Sequence, residues 1–156
     1  MSTSVRQRLQ ELSLALPPTP KPQGSYIPAV RTGNLVFVAG QLPMRDGQVA
    51  YKGKVGRDLD IGQAQEAARL CFLNALAALV SAGVDPDQVT RVVRLGGFVQ
   101  CADGFAEQPK VVNGASDLCQ AIYGDRGRHA RAAVGVHALP LDAAVEIEAL
   151  FEVVPA

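Results

Sequence analysis

The chain has 156 residues of which 48% are hydrophobic, ample for the core of one compact domain and too short for a second of ordinary size. Fifteen Lys and Arg balance fifteen Asp and Glu, so the formal charge is zero and no overall basic field exists to hold a nucleic-acid backbone, leaving only a local patch at Arg126, Arg128 and Arg131. The first residues lack the apolar stretch of a signal peptide and no segment reaches membrane-spanning length, so the expected setting is the cytoplasm, with no membrane partner.

Val5, Leu9, Leu12 and Leu16 recur at helical spacing, with Arg6, Arg8, Gln10 and Glu11 between them, which predicts a short amphipathic helix from Val5 to Leu16. Pro17, Pro18, Pro20 and Pro22 then rule out regular helix and predict an extended connection over 17–25. The continuous apolar run from Leu35 to Ala39 follows the turn signal Thr32-Gly33-Asn34 and ends at Gly40, so it reads as a buried strand. Asp46-Gly47 is a hairpin turn signal, after which Gln48 to Tyr51 return as an edge strand.

The clearest helix runs from about Ile61 to Ala82. Asp60 is placed to cap it, Gln63 stands three residues on, and Gly83 lies just past its end. Its stripe of mostly small residues, Ala64 to Leu79, lets it approach a sheet closely. Val89 to Val99 reads as a strand buried on both faces, with Gly96-Gly97 marking a bulge or a close backbone approach. A further helix is expected from Pro109 to Tyr123, facing Val112, Leu118, Ile122 and Tyr123 inward, and Gly124-Asp125-Arg126-Gly127 stops it.

The C-terminal third has the sharpest pattern. Between Ala144 and Val153 the residues Val145, Ile147, Ala149, Phe151 and Val153 alternate with Glu146, Glu148, Leu150 and Glu152, the period of a strand with one face in the core. On the strand before it, Ala130, Ala132, Val134 and Val136 share one face, and Arg131, Ala133, Gly135 and His137 share the other. Arg131 is therefore expected on the face away from the core, with room beside it. Fifteen residues separate it from Glu146, and a permanently charged guanidinium beside small side chains, with a carboxylate in the next strand, suits a small anionic molecule.

The order strand, hairpin strand, helix, strand, helix, strand, strand predicts an α+β domain with two helices on one face of the sheet. The opposite face, carrying Leu150 among charges, is then expected to be buried between identical subunits of a closed ring. Cys71, Cys101 and Cys119 are odd in number and widely spaced, which suits reduced thiols in core packing. The two histidines, His129 and His137, and the lack of CxxC or HxxxH leave no recognisable metal motif.

Four stretches, in this order and spacing, carry a family resemblance: Gly24-Ser25-Tyr26-Ile27-Pro28-Ala29-Val30, Phe37-Val38-Ala39-Gly40-Gln41-Leu42-Pro43, Leu73-Asn74-Ala75-Leu76, and Ala130-Arg131 through Leu139-Pro140 to Val145-Glu146-Ile147-Glu148-Ala149. Over residues 24 to 153 the chain resembles the RidA/YjgF family, also labelled endoribonuclease L-PSP, and its longer branch in particular. The resemblance implies one chorismate-mutase-like α+β domain over 1–156, a mixed sheet with two helices on one face, preceded by an extra N-terminal helix and proline-rich arm in residues 1–23. It implies a homotrimer with ligand clefts between neighbours. It also implies hydrolysis of reactive enamine and imine intermediates, derived from amino acids, to 2-oxo acids and ammonia, without a metal or cofactor. Arg131 corresponds to the residue that forks the substrate carboxylate and Glu146 to the one that contacts the water or ligand; Tyr26, the Gly40 backbone and Asn113 match further cleft positions. Ala133 stands where the well-studied members often carry cysteine, which excludes thiol chemistry there, and the Gln100 to Lys110 segment is longer than the family's.

Each of these residues also has a plainer reading. Arg131 could pair with a glutamate at a subunit interface, Glu146 could be a solvated strand residue, and Tyr26 could pin the arm to the domain. His129 reads as a surface histidine near a turn, and Glu148 as a subunit contact. A non-catalytic trimer that binds or senses a small carboxylate metabolite is the rival to the hydrolase. Ribonuclease activity, suggested by the older family label, is opposed by the neutral charge and the lack of a histidine pair for RNA cleavage.

Overall fold

The computed structural model describes residues 3–19 and 21–156. In chain order the elements are α1 (Val5–Glu11), β1 (Ala29–Thr32), β2 (Leu35–Gln41), β3 (Met44–Arg45), β4 (Gln48–Val49), α2 (Ile61–Ser81), β5 (Val89–Gln100), α3 (Gln108–Tyr123), β6 (Ala130–Val136) and β7 (Val145–Val153). Five strands form one sheet in the order β1-β2-β7-β5-β6, with β5 and β6 parallel and the other pairs antiparallel. The strands β3 and β4 form a separate two-stranded ribbon around Asp46 and Gly47, both at positive φ as the turn signal requires, so the expected edge strand lies outside the main sheet.

Helices α2 and α3 pack side by side on one face of the sheet. The Asp60 side chain caps α2 by accepting from Gln63 N, and Gln63 returns a bond to the cap backbone, so both ends of the expected capping box form. Phe72 of α2 stacks on Phe151 of β7, ring centroids 6.3 Å apart, at the centre of the core. Two glycines set how close the layers come. A Cβ on Gly97 would fall 2.5 Å from Val112 of α3, and one on Gly114 would run into the Gln65 carbonyl of α2, whose carbon is 2.8 Å away. The Gly96-Gly97 signal thus marks close approach, and the irregularities of β5 lie earlier, between Val89 and Arg91 and between Val92 and Arg94.

The N-terminal helix is shorter than its apolar spacing suggests. It ends at Glu11 because Ser13 adopts φ 59° and lets Leu14 N reach Leu9 O at 2.7 Å and Ser13 N reach Gln10 O at 2.9 Å, a Schellman closure with serine where glycine is usual. Leu12, Leu14 and Leu16 still pack on the core, but from an irregular arm. The helix is tied down by buried Val5 and Leu9 and by the Val5 N–H, which donates to Asp87 Oδ1 at 2.7 Å.

The strand β2 departs from its expected burial. Val36 and Val38 are buried while Phe37, between them, is 48% exposed, so only one of its faces enters the core. It also continues past Gly40 to Gln41, across a one-residue irregularity against β7 between Val38 and Gln41. The face opposite the helices carries Val30, Phe37 and Val134, exposed at 49%, 48% and 44%, together with Phe98 and Leu150. Among the described residues no helix packs on it. No helix among them is long and apolar enough to cross a membrane.

Candidate functional site

Glu146 lies on β7 and its neighbours in register show which face it occupies. It pairs with Phe98, which pairs in turn with exposed Val134, whereas its neighbours Val145 and Ile147 pair with Val99 and Gly97 and face the core. Glu146 therefore projects from the open face, as the alternation predicts. Its side chain lies over Gly40 in the irregular part of β2, where a Cβ would come within 2.8 Å of Glu146 Cδ. Only a glycine there gives the carboxylate this position. With Tyr26 these two residues line one pocket of about 50 Å³, closed on one side by Lys21 and Gln23 of the arm and on another by Pro140. The Tyr26 hydroxyl accepts from Gln23 N–H at 3.0 Å, which folds the arm against the ring and leaves the phenol hydrogen to donate elsewhere.

Two glutamates two residues apart have different surroundings. Glu148 lies across Gly96 and accepts from Arg94 Nη1 at 3.2 Å. Glu146 has no ion-pair partner among the described residues; burial, with the charge of Glu148 added from the same face, raises its carboxyl above the ordinary value. That shift moves a carboxylic acid toward the range where it can both take and give a proton near neutral pH.

Arg131 is where the structure corrects the sequence. The parity is right, since Arg131 and Ala133 share a face, but that face is the one beneath the helices: Arg131 pairs in register with Leu95 and Ala133 with Gly97, both buried. Nη1 donates to Asn113 Oδ1 at 2.8 Å and to Ser116 Oγ at 3.0 Å, and Nη2 donates to Pro109 O at 3.1 Å. All three acceptors belong to α3. The apolar set Ala130, Ala132, Val134 and Val136 faces outward instead, because β6 is an edge strand whose outer face nothing in the described chain covers. Nor is there open space beside Gly135, where a Cβ would meet Gln108 and Cys101 Sγ at 2.7 and 2.8 Å.

The three bonds use three of the five guanidinium N–H groups, leaving one on Nε and one on Nη2. Two adjacent donors held at fixed orientation match the two oxygens of a carboxylate. No carboxylate of the described chain pairs with Arg131, so the plain ion-pair reading has no partner within the subunit.

The sequence-predicted residues thus fall into two groups. Tyr26, Gly40 and Glu146 share a pocket on the open side; Arg131, Asn113 and Ala133 lie together under α3 at the edge of the sheet. Within one chain the groups do not meet. The residues that sequence reading missed are Lys21 and Gln23, Ser116 and Pro109 O. Ser116 was within reach of it, because Pro109, Asn113 and Ser116 recur at helical spacing and so share the face of α3 that meets Arg131.

His129 is a second correction. It is half-buried, with its ring between Ser116 Oγ at 2.8 Å and Gly127 O at 2.6 Å. Of the cysteines, Cys71 and Cys119 are buried as expected and Cys101 is half-exposed. Burial pushes the Cys119 thiol up to about 12 and Cys71 well above its ordinary value, so neither is a nucleophile at neutral pH. No group of three or more potential metal ligands occurs among the described residues.

Fold and site together define an α+β subunit of the chorismate-mutase-like kind, with a polar pocket on one sheet face and an anchored arginine on the other. The chain belongs to the RidA/YjgF family: residues 6–153 match the family described as "YjgF/chorismate_mutase-like, putative endoribonuclease". It is 43% identical over 152 residues to Protein TCP17 of Trypanosoma cruzi, covering 97% of this chain and 95% of that one. It is 31% identical over 127 residues, 81% of this chain and 85% of the relative, to the Escherichia coli protein named "Putative reactive intermediate deaminase TdcF". Among solved structures, Atu1372 of Agrobacterium tumefaciens, described as of unknown function, superposes with a TM-score of 0.87 at 45% identity, covering 96% of this chain and 91% of that one.

Proposed function

We propose that the protein is an enamine/imine deaminase-like hydrolase, converting reactive imines derived from amino acids to 2-oxo acids and ammonia in clefts between the subunits of a homotrimer. The observation that carries this reading is the state of Arg131: three bonds to α3, two N–H groups left over, and no carboxylate partner among the described residues. Such a guanidinium is prepared for the carboxylate of a small 2-imino acid before one arrives, which reduces the cost of orienting the substrate. The name carried by the TdcF relative points to the same chemistry.

The reaction asks little of the protein. Once the imine nitrogen is protonated its carbon is electrophilic, and water adds to that carbon to give a carbinolamine. The C–N bond then breaks, the protonated nitrogen leaves as ammonia, and the hydroxyl oxygen gives up its proton to water and becomes the carbonyl of the 2-oxo acid. In this reading Arg131 holds the carboxylate and Asn113 holds Arg131. Glu146 takes the proton of the attacking water and returns one to the departing nitrogen, a double duty for which its raised proton affinity is suited. Gly40 lends backbone, Tyr26 a hydroxyl hydrogen, and Ala133 leaves room where a cysteine would otherwise stand.

Because Arg131 and Glu146 project from opposite faces, a cleft that contains both takes Arg131, Asn113 and Ala133 from one subunit and Tyr26, Gly40 and Glu146 from its neighbour. The apolar open face, with Phe37, Val30 and Val134, supports such an assembly. The test generates 2-aminoacrylate and related imines enzymatically and follows their decay to 2-oxo acids. Wild type accelerates the decay, whereas Arg131→Ala and Glu146→Gln do not. Dissociating and reassembling the two inactive variants together restores activity in about a quarter of the sites, the fraction that draws both intact residues from different chains. No acceleration by wild type over a broad imine panel overturns the enzyme, and retained 2-oxo acid binding would then favour a carboxylate sensor. Activity of the variants alone overturns the site.

A further inference from the structure

The imidazole of His129 has an arrangement whose protonation can be deduced from its partners. Gly127 O is a carbonyl and can only accept, so the nitrogen 2.6 Å from it, Nδ1, carries the ring hydrogen. A neutral ring then has a lone pair on Nε2, 2.8 Å from Ser116 Oγ. The serine hydroxyl has a single hydrogen, and Arg131 Nη1, which can only donate, already points at the oxygen from 3.0 Å. The hydrogen of Ser116 is therefore committed to His129 and an oxygen lone pair is turned toward Arg131. A chain runs from the Gly127 carbonyl through His129 and Ser116 to the guanidinium, each link with one allowed direction.

We propose that His129 and Ser116 are positioning residues for the carboxylate anchor: the Nδ1–H tautomer of His129 fixes the Ser116 hydroxyl, which fixes the rotamer of Arg131. The inference rests on the reading of Arg131 as a carboxylate-binding residue and extends the site to two side chains that touch no substrate. Several features make the chain an orienting device. Ser116 is buried at 6% exposure, so water does not readily take over its role. Gly127 is itself held tightly, since a Cβ there would meet the Cys119 backbone carbonyl at 2.6 Å, and its oxygen also accepts from Cys119 Sγ at 3.3 Å. The carbonyl that selects the tautomer is thus part of the rigid junction between α3 and β6. Without Ser116, Nη1 keeps only Asn113, and a guanidinium held by fewer bonds presents its free Nε and Nη2 hydrogens over a wider range of directions.

Two measurements test this. Nitrogen-15 NMR of the wild-type assembly at pH 8.5, with His137→Asn to assign the two rings, is expected to show His129 as the Nδ1–H tautomer, the less common one for a free imidazole. Titration calorimetry with pyruvate, the simplest 2-oxo acid product, is expected to show Ser116→Ala weakening binding about tenfold, the size of one positioning hydrogen bond, with thermal stability nearly unchanged. Ser116→Thr, which keeps the hydroxyl, restores most of the affinity. An Nε2–H tautomer, or Ser116→Ala with wild-type affinity, overturns the relay. If Arg131→Ala abolishes pyruvate binding while Ser116→Ala leaves it intact, the relay fails and the anchor stands. If Arg131→Ala itself leaves binding intact, the proposed anchor fails.

Discussion

Replacing Gly40 by alanine isolates the contact that places Glu146. The added Cβ would lie 2.8 Å from Glu146 Cδ and 3.2 Å from Cγ, against an ordinary carbon contact of about 3.5–4.0 Å, so the carboxylate must retreat by roughly 1 Å. The obstacle is the end of a flexible, half-exposed side chain, and Gly40 lies outside the positive-φ residues, so the backbone accepts alanine. Stability should change by less than about 1 kcal/mol. Activity should not be spared, because a displacement of about 1 Å in the group proposed to handle the attacking water costs on the order of 100-fold. The assay pairs steady-state imine turnover with thermal unfolding for Gly40→Ala, Glu146→Ala and the double variant. If Gly40 acts by placing Glu146, alanine at 40 adds nothing once the carboxylate is gone, and the two effects are strongly non-additive. Full activity in Gly40→Ala, or additive losses in the double variant, would refute the reasoning.

Glu146→Gln should stabilise the subunit at neutral pH. The carboxyl is raised in the folded state, so the folded protein binds the proton more tightly than the unfolded one, and stability falls as pH rises from the ordinary carboxyl value through the raised one. The variant's advantage in melting temperature should therefore be present at pH 7 and absent near pH 3.5; solvent access to the half-exposed group keeps it small. Gly114→Ala drives a methyl into the backbone at Gln65, which cannot rotate away, and should lower unfolding free energy by about 1–3 kcal/mol in denaturant titration. Phe37→Asp places a charge on the exposed face and should leave the fold intact in circular dichroism. It should convert a particle of about three times the 16.4 kDa chain mass to the single-chain mass in sedimentation.

The elements that are legible in the sequence are those where local signals agree. The capping box at Asp60, the positive-φ turn at Asp46-Gly47 and the alternation along β7 each have a cause within a few residues, and each forms as read. The short α1 fails because its stop depends on Ser13 entering the left-handed region, which no glycine announces. The face of Arg131 fails for a different reason. Periodicity groups residues by face but does not say which face is covered, and the usual rule assigns the apolar set to the core. At the edge strand β6 that rule inverts: the polar lining comes from Asn113 and Ser116 on α3, while Val134 faces outward among the other exposed apolar residues. Only the register of β5 with both of its neighbours distinguishes the two cases. The pocket was partly legible, since Tyr26, Gly40 and Glu146 were all named, but the contribution of the arm at Lys21 and Gln23 depends on a chain path that prolines restrict without directing.

The division of labour between Glu146 and Glu148 follows from their partners more than from their positions. Both project from the same face of β7, each across a glycine, and each would read alone as a solvated strand carboxylate. Arg94 pairs with Glu148 at 3.2 Å, so that carboxylate is engaged in a surface ion pair. Glu146 has no such cation among the described residues, and its burial, with the charge of Glu148 added, raises its proton affinity. A carboxyl whose proton affinity its surroundings raise is the natural candidate for proton transfer, and one held in an ion pair is the natural structural group. The guanidinium that completes the proposed site is kept on the opposite face of the sheet, bound to α3, and cannot neutralise Glu146 of its own subunit. Pairing them within one chain would quench both the raised proton affinity and the free carboxylate fork, so the proposed site at the boundary between chains would preserve in each subunit the two properties that the proposed chemistry uses.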